Sequence, residues 1–299
     1  MHRLAVGLII ATTLAFAAAT PQFRFRLPNS CTLPFKDIAP AIDPFVKCDS
    51  EGRMTGHAVP VKAKRLQSAA KNNLCAGAST VTVMHFDDFT RLEDNTDPEE
   101  LDLSADRDDL RIVENITIHG ESLGEGSVVR LIAMMRTAHV SNCRKPKPGK
   151  KGGELVNCQT IRFDSNDLHI VLMPLDADEH TSECESVTAE MIPHFRPAAW
   201  SDVDLKKQVE NPVRLTGQLF YDDAHRACKN GKGSPARRTV WEIHPVYKFE
   251  VCTTTDHQAC KDSDAGVWMP YEQWVTQPGV KTRATGSKAR DLCDAAGNP

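Results

Sequence analysis

Apolar and polar positions alternate most regularly over residues 213–252, which read as a strand, a Gly/Lys/Arg loop and a second strand. In the second strand Glu242 and His244 leave one face while Trp241, Ile243 and Pro245 leave the other, and Asp222 and His225 end the first strand. The same period recurs upstream. Asp167 and His169 oppose Leu168, Ile170 and Leu172, and Thr188 and Glu190 oppose Val187, Ala189 and Met191. Further strands are predicted over residues 111–119, 127–135 and 160–163, with a helical interruption near 200–210. About five strands in a meander predict a mainly β chain built as a small, partly open OB-like β-barrel, with a β-sandwich as the alternative.

Outside that region the pattern changes. Residues 20–85 hold six prolines and three cysteines and predict a looped, disulfide-rich N-terminal region with one short helix over 62–74 and a short strand over 80–84. Residues 86–110 are strongly acidic. No EF-hand spacing accompanies the charge, so they read as a solvated connector to a β domain over 111–256. A C-terminal extension, 257–299, carries Trp268 and Trp274, expected to pack back on the barrel.

Residues 1–19 have a basic start, an apolar run too short to span a bilayer and an Ala-Ala-Ala stretch, the pattern of a cleaved signal peptide. Ten cysteines follow it, none in a Cys-x-x-Cys pair, and predict disulfide bonds rather than a cysteine metal site. Spacing suggests Cys143 with Cys158, and Cys252 with Cys228 or Cys260. The expectation is a secreted or periplasmic protein with no membrane segment after cleavage. A net charge of −4 argues against coating nucleic acid by bulk charge.

Were the strands neighbours in one barrel, Asp167, His169, Glu190, Asp222, His225, Glu242 and His244 would converge. Imidazoles with carboxylates behind them suit a divalent ion, zinc first. An ion with an open position would make a metal-dependent hydrolase, phosphodiesterase or nuclease-like, with Glu242 or Glu190 as general base. The other reading is a stripe that is purely structural, since half-buried strands show polar residues on their wet face. A loop bearing Arg144, Lys145, Lys147, Lys150 and Lys151 suggests an anionic polymer or small anionic ligand as partner, or a solvated hairpin tip; Lys229, Lys232, Arg237 and Arg238 form a similar basic tip. No nucleophile-elbow serine, phosphate-binding Gly loop or dinucleotide fingerprint occurs.

Phe220-Tyr221-Asp222-Asp223-Ala224-His225 and Glu242-Ile243-His244-Pro245-Val246, preceded by Asp167-Leu168-His169 and a strand ending in Glu190, resemble a widespread group of uncharacterised secreted bacterial proteins. These share an Asp-x-His strand, a Phe-(Phe/Tyr)-Asp-x-x-His strand and a Glu-(Ile/Leu)-His-Pro-Val strand. The resemblance spans roughly residues 120–252 and implies an OB-like domain; it carries no activity with it.

Overall fold

The computed structural model describes residues 49, 51–53, 58–72, 81–97, 99–103, 107, 110, 113, 116–140, 153–159, 166–193, 196–197, 200, 210–254, 256–263 and 265–280. The expected signal segment, the strand over 160–163, most of the helical interruption near 200–210 and the basic loop over 144–151 lie outside them.

Seven strands form one sheet that closes on itself. The long β2 (Val128–Val140) pairs antiparallel with β5 (Val213–Tyr221) along its first half and with β3 (Leu168–Met173) along its second. β3 pairs antiparallel with β4 (Val187–Met191), and β4 meets β6 (Trp241–Cys252) in parallel at Ala189 and Ile243. β6 returns antiparallel to β5, so the circuit β2-β3-β4-β6-β5-β2 is the OB-like barrel predicted by the alternation, closed rather than split into two sandwich layers. β1 (Thr82–Met84) adds in parallel to β2, and β7 (Trp268–Pro270) adds to the end of β6. Of the strand expected over 111–119, Ile118 makes an isolated antiparallel bridge to Glu121.

Period two decides what fills the barrel. Leu168, Ile170, Leu172, Val187, Ala189, Met191, Leu215, Trp241 and Ile243 all belong to the core, fully or nearly fully buried. At about 25 cal/mol per Å² of apolar surface removed from water, this interior is the main source of stability. The phase slips on either side of Gly217, where Gly217 opposes Val246 and Leu219 opposes Ile243, and again between Met135 and Thr137 of β2. A Cβ on Gly217 would stand 2.6 Å from Ile243 Cγ2 and run into the Pro245 carbonyl. Gly217→Ala is therefore expected to destabilise the fold by about 1–3 kcal/mol as an overpacking change. A urea midpoint equal to wild type would contradict that reading of the bulge.

Helix α1 (Lys62–Lys71) forms where expected, and α3 (Tyr271–Trp274) packs Tyr271 and Trp274 on the core. The acidic stretch behaves differently from a solvated connector. Its first part is α2 (Phe86–Asp94), whose Phe89 and Leu92 are buried in the core beside Phe86. Glu93 on this helix accepts hydrogen bonds from the Val240 N–H (2.8 Å) and the Thr239 hydroxyl (2.9 Å), pinning α2 to the start of β6.

Two disulfides are seen among the described residues. Cys252–Cys260 ties the end of β6 to a short turn, and Cys184–Cys228 ties the turn before β4 to the loop after β5, so Cys228 is not the partner of Cys252. Cys158 is also bonded, while Cys143 lies outside the described residues. Such bridges fit an oxidising compartment. No helix among the described residues is long and apolar enough to cross a membrane.

Candidate metal centre

Strand register builds the site on the outer wall of the barrel. His139 on β2 stands opposite His169 on β3, which stands opposite Glu190 on β4. Ala189 pairs with Ile243 across the parallel seam, which brings His244 of β6 beside Glu190. An outward face would ordinarily be wet, but α1 and residues 153–159 lie over this one. Lys71 of α1 donates to Glu190 Oε2 at 2.9 Å, Gln67 one turn earlier donates to Asp222 Oδ1 at 2.8 Å, and Glu154 meets His169 Nε2 at 2.9 Å. Glu190, His244, Asp167 and Glu242 are in consequence buried, a polar layer between wall and cover.

Glu190 is the hub. Besides Lys71, its Oε1 lies 3.3 Å from His169 Nε2, and its Oε2 lies 2.6 Å from His244 Nδ1. The latter contact occupies Nδ1 of His244, and its Nε2 has no hydrogen-bond partner. Asp167 is held through Oδ1 by the Asn157 amide at 3.0 Å, and its Oδ2 has no hydrogen-bond partner. One ligand atom each from Asp167, Glu190 and His244 lie within 4.8 Å of one another, as do those of Glu154, Asp167 and His169. These two groups sharing Asp167 could hold a metal ion.

Asp222, Glu242 and His225 form an adjoining arrangement. Arg237, only 1% exposed, bonds Glu242 Oε1 through one amino group and Asp222 Oδ2 through the other (3.0 Å). The same Asp222 oxygen lies 2.7 Å from His225 Nδ1. Arg237 had read as part of a solvated basic tip; it is instead the internal counter-ion of two strand carboxylates. A cavity of about 610 Å³ unites the groups, lined by His139, Glu154, His169, Glu190, Asp222 and His225 among others.

Five carboxylates (Glu154, Asp167, Glu190, Asp222, Glu242) thus lie around two ion-paired permanent cations, Lys71 and Arg237. Burial raises Asp167 well above the usual carboxylate range, helped by the charges of Glu154 and Glu190. Burial likewise lifts Glu242 to about 8, with Glu190 and Asp222 adding repulsion that Arg237 only partly offsets. Burial opposes ionisation of Glu154 too, but the His169 hydrogen bond and charge prevail and hold it down at about 2. His244 is lowered by burial, so its ring is neutral, the form that binds metal.

His169 is the converse case. Burial disfavours its imidazolium, yet Glu190 and Glu154 outweigh that and push it up to about 10. The folded state therefore keeps a proton that the unfolded chain releases near its ordinary value of about 6.5. This stabilisation is complete below about pH 6.5 and is lost as pH rises through about 10. Raised Glu242 acts in the same direction, because its folded form also holds the extra proton. Metal-free protein is expected to lose stability steadily across that alkaline range, and His169→Asn to flatten the profile in urea titrations. A flat wild-type profile would refute the assignment.

All seven residues singled out by alternation thus line or adjoin one buried region, four of them in the ligand groups and three around Arg237. Sequence reasoning missed Lys71, Glu154, Asn157 and Arg237. Gln67 and Lys71 carried one usable signal, the i,i+4 spacing that puts both on one face of a helix; Glu154 and Asn157 carried none. No family model, curated protein or solved structure matches the chain.

Proposed function

We propose that the protein is an exported binder of a divalent metal ion, zinc before harder ions, held by Asp167, Glu190 and His244, with Glu154 and His169 forming a second group that shares Asp167. One observation carries this: three buried ligand-type side chains from different strand segments converge within 4.8 Å, with Asp167 Oδ2 and His244 Nε2 lacking hydrogen-bond partners. Buried polar atoms are ordinarily paired, and leaving one unpaired costs about 1–3 kcal/mol, so orphaned ligand atoms at one point favour an ion there. The mixed imidazole and carboxylate donors suit zinc. Of the other readings, a purely structural stripe leaves the orphaned atoms without a reason, and an anionic ligand bound there without a metal would face carboxylates.

The test is elemental analysis and zinc titration of protein purified without chelator. Near-stoichiometric zinc is expected, with Asp167→Asn and His244→Gln, both shape-conserving, weakening affinity at least tenfold while remaining folded by circular dichroism. Equal affinity in both variants would sink the assignment.

Lys71 adds a second expectation. Its ammonium sits on the very Glu190 oxygen that lies nearest His244, so ammonium and metal compete for one carboxylate. Lys71→Met is expected to tighten zinc binding about tenfold, equivalent to ~1.4 kcal/mol. Weaker binding would show that Lys71 supports the site instead.

A further inference from the structure

We propose that His225, oriented by Asp222, is the general base of a phosphodiester hydrolase whose substrate enters the cavity beside the metal centre. For the metal's share of the work this rests on the reading above, but the dyad itself stands on separate geometry.

Asp222 is buried and over-determined for an ordinary surface aspartate. Gln67 and the Ala224 N–H (3.0 Å) hold Oδ1, while Arg237 and His225 Nδ1 hold Oδ2. With burial opposed by the His225 hydrogen bond and by Lys71 and Arg237, its pKa lies well below the usual carboxylate range, so it accepts. His225 then presents Nδ1 as donor to Asp222 and keeps Nε2 as the basic nitrogen. The ring is about half exposed (49%) and lines the cavity. A fixed acceptor behind one ring nitrogen of a half-exposed ring that lines the cavity is the arrangement of an oriented general base.

The expected bases fare less well. Glu190 is engaged by Lys71, His169 and His244, and Glu242 is buried against Arg237. His225 alone of these combines a fixed orientation with access.

Substrate class follows from size and charge. A cavity of about 610 Å³ falls in the range of ligand sites. Lys64 lines it, exposed and without an ion-pair partner among the described residues, one helical face with Gln67 and Lys71. A free cation facing the substrate suits an ester with an anionic centre, the singly charged phosphodiester, over a neutral carboxylic ester. In the reaction His225 Nε2 takes a proton from water, the water oxygen bonds to phosphorus, the P–O bond to one alcohol breaks, and the imidazolium returns the proton to the departing alkoxide. A metal at the adjoining site would polarise the phosphoryl oxygen.

Bis(p-nitrophenyl) phosphate and p-nitrophenyl acetate are the probes, used on the full mature chain with and without zinc. Wild type is expected to hydrolyse the phosphodiester in preference. His225→Ala should lower kcat about a hundredfold or more, the range for loss of a general base, with zinc content unchanged. Added imidazole should restore part of that rate, which loss of a purely structural histidine would not allow. Zinc-loaded wild type inert toward the phosphodiester, or His225→Ala as active as wild type, overturns the proposal. Activity that needs His225 but survives chelation would uphold the dyad and instead remove the metal reading.

Discussion

Glu190→Gln is expected to destabilise metal-free protein by about 3–5 kcal/mol, the cost of breaking a buried ionic network from one side. The carboxylate is 2% exposed and carries Lys71, His169 and His244 at once. Glutamine matches its shape but not its charge, so Lys71 is left deep under α1 with its nearest counter-charge gone. The loss belongs to the uncompensated ammonium more than to missing attraction. Lys71→Met in the same background should therefore recover a good part of it, and a double-mutant cycle in urea would show strong coupling. Additive losses would mean that the two groups do not share the energy attributed to them.

Arg237→Met is expected to be of similar severity, about 3–5 kcal/mol, because Asp222 and Glu242 lose their common cation in a buried setting. Here pH provides the check. Asp222 is depressed in the folded state, so its contribution is present above the ordinary carboxylate range and is lost as pH falls through the folded value. Without Arg237 that depression shrinks, and raised Glu242 ionises still less readily. The variant's deficit should be largest at neutral pH and narrow as the solution is acidified. A deficit independent of pH would point to lost packing of the long side chain instead.

Glu190, Asp222 and Glu242, which these experiments probe directly or through Arg237, are brought together by reading the strands, and the reason is local. Period two along 168–172, 187–191 and 241–244 is set by which side chains fill the barrel, so the polar partners follow automatically. What covers that face was not legible. Whether an outer wall is wet depends on where α1 and residues 153–159 settle, a long-range matter that no spacing within the strands records. The missed role of Arg237 has the same root: beside Arg238, Gly231 and Pro235 it reads as a loop cation, and only closure of the hairpin over Asp222 and Glu242 turns it inward. α2 is the contrary case. Phe86, Phe89 and Leu92 at three-residue spacing announced a buried helical stripe, and the surrounding acids masked it.

The parallel meeting of β4 and β6 has a consequence for synthesis. Glu190 and His244 face each other across the one parallel seam of the barrel circuit, and β6 is the last of the five barrel strands to leave the ribosome. A chain halted between β4 and β6 contains Asp167 and Glu190 yet lacks His244, so that ligand group is incomplete. Ion capture by Asp167, Glu190 and His244 together would then report a finished barrel.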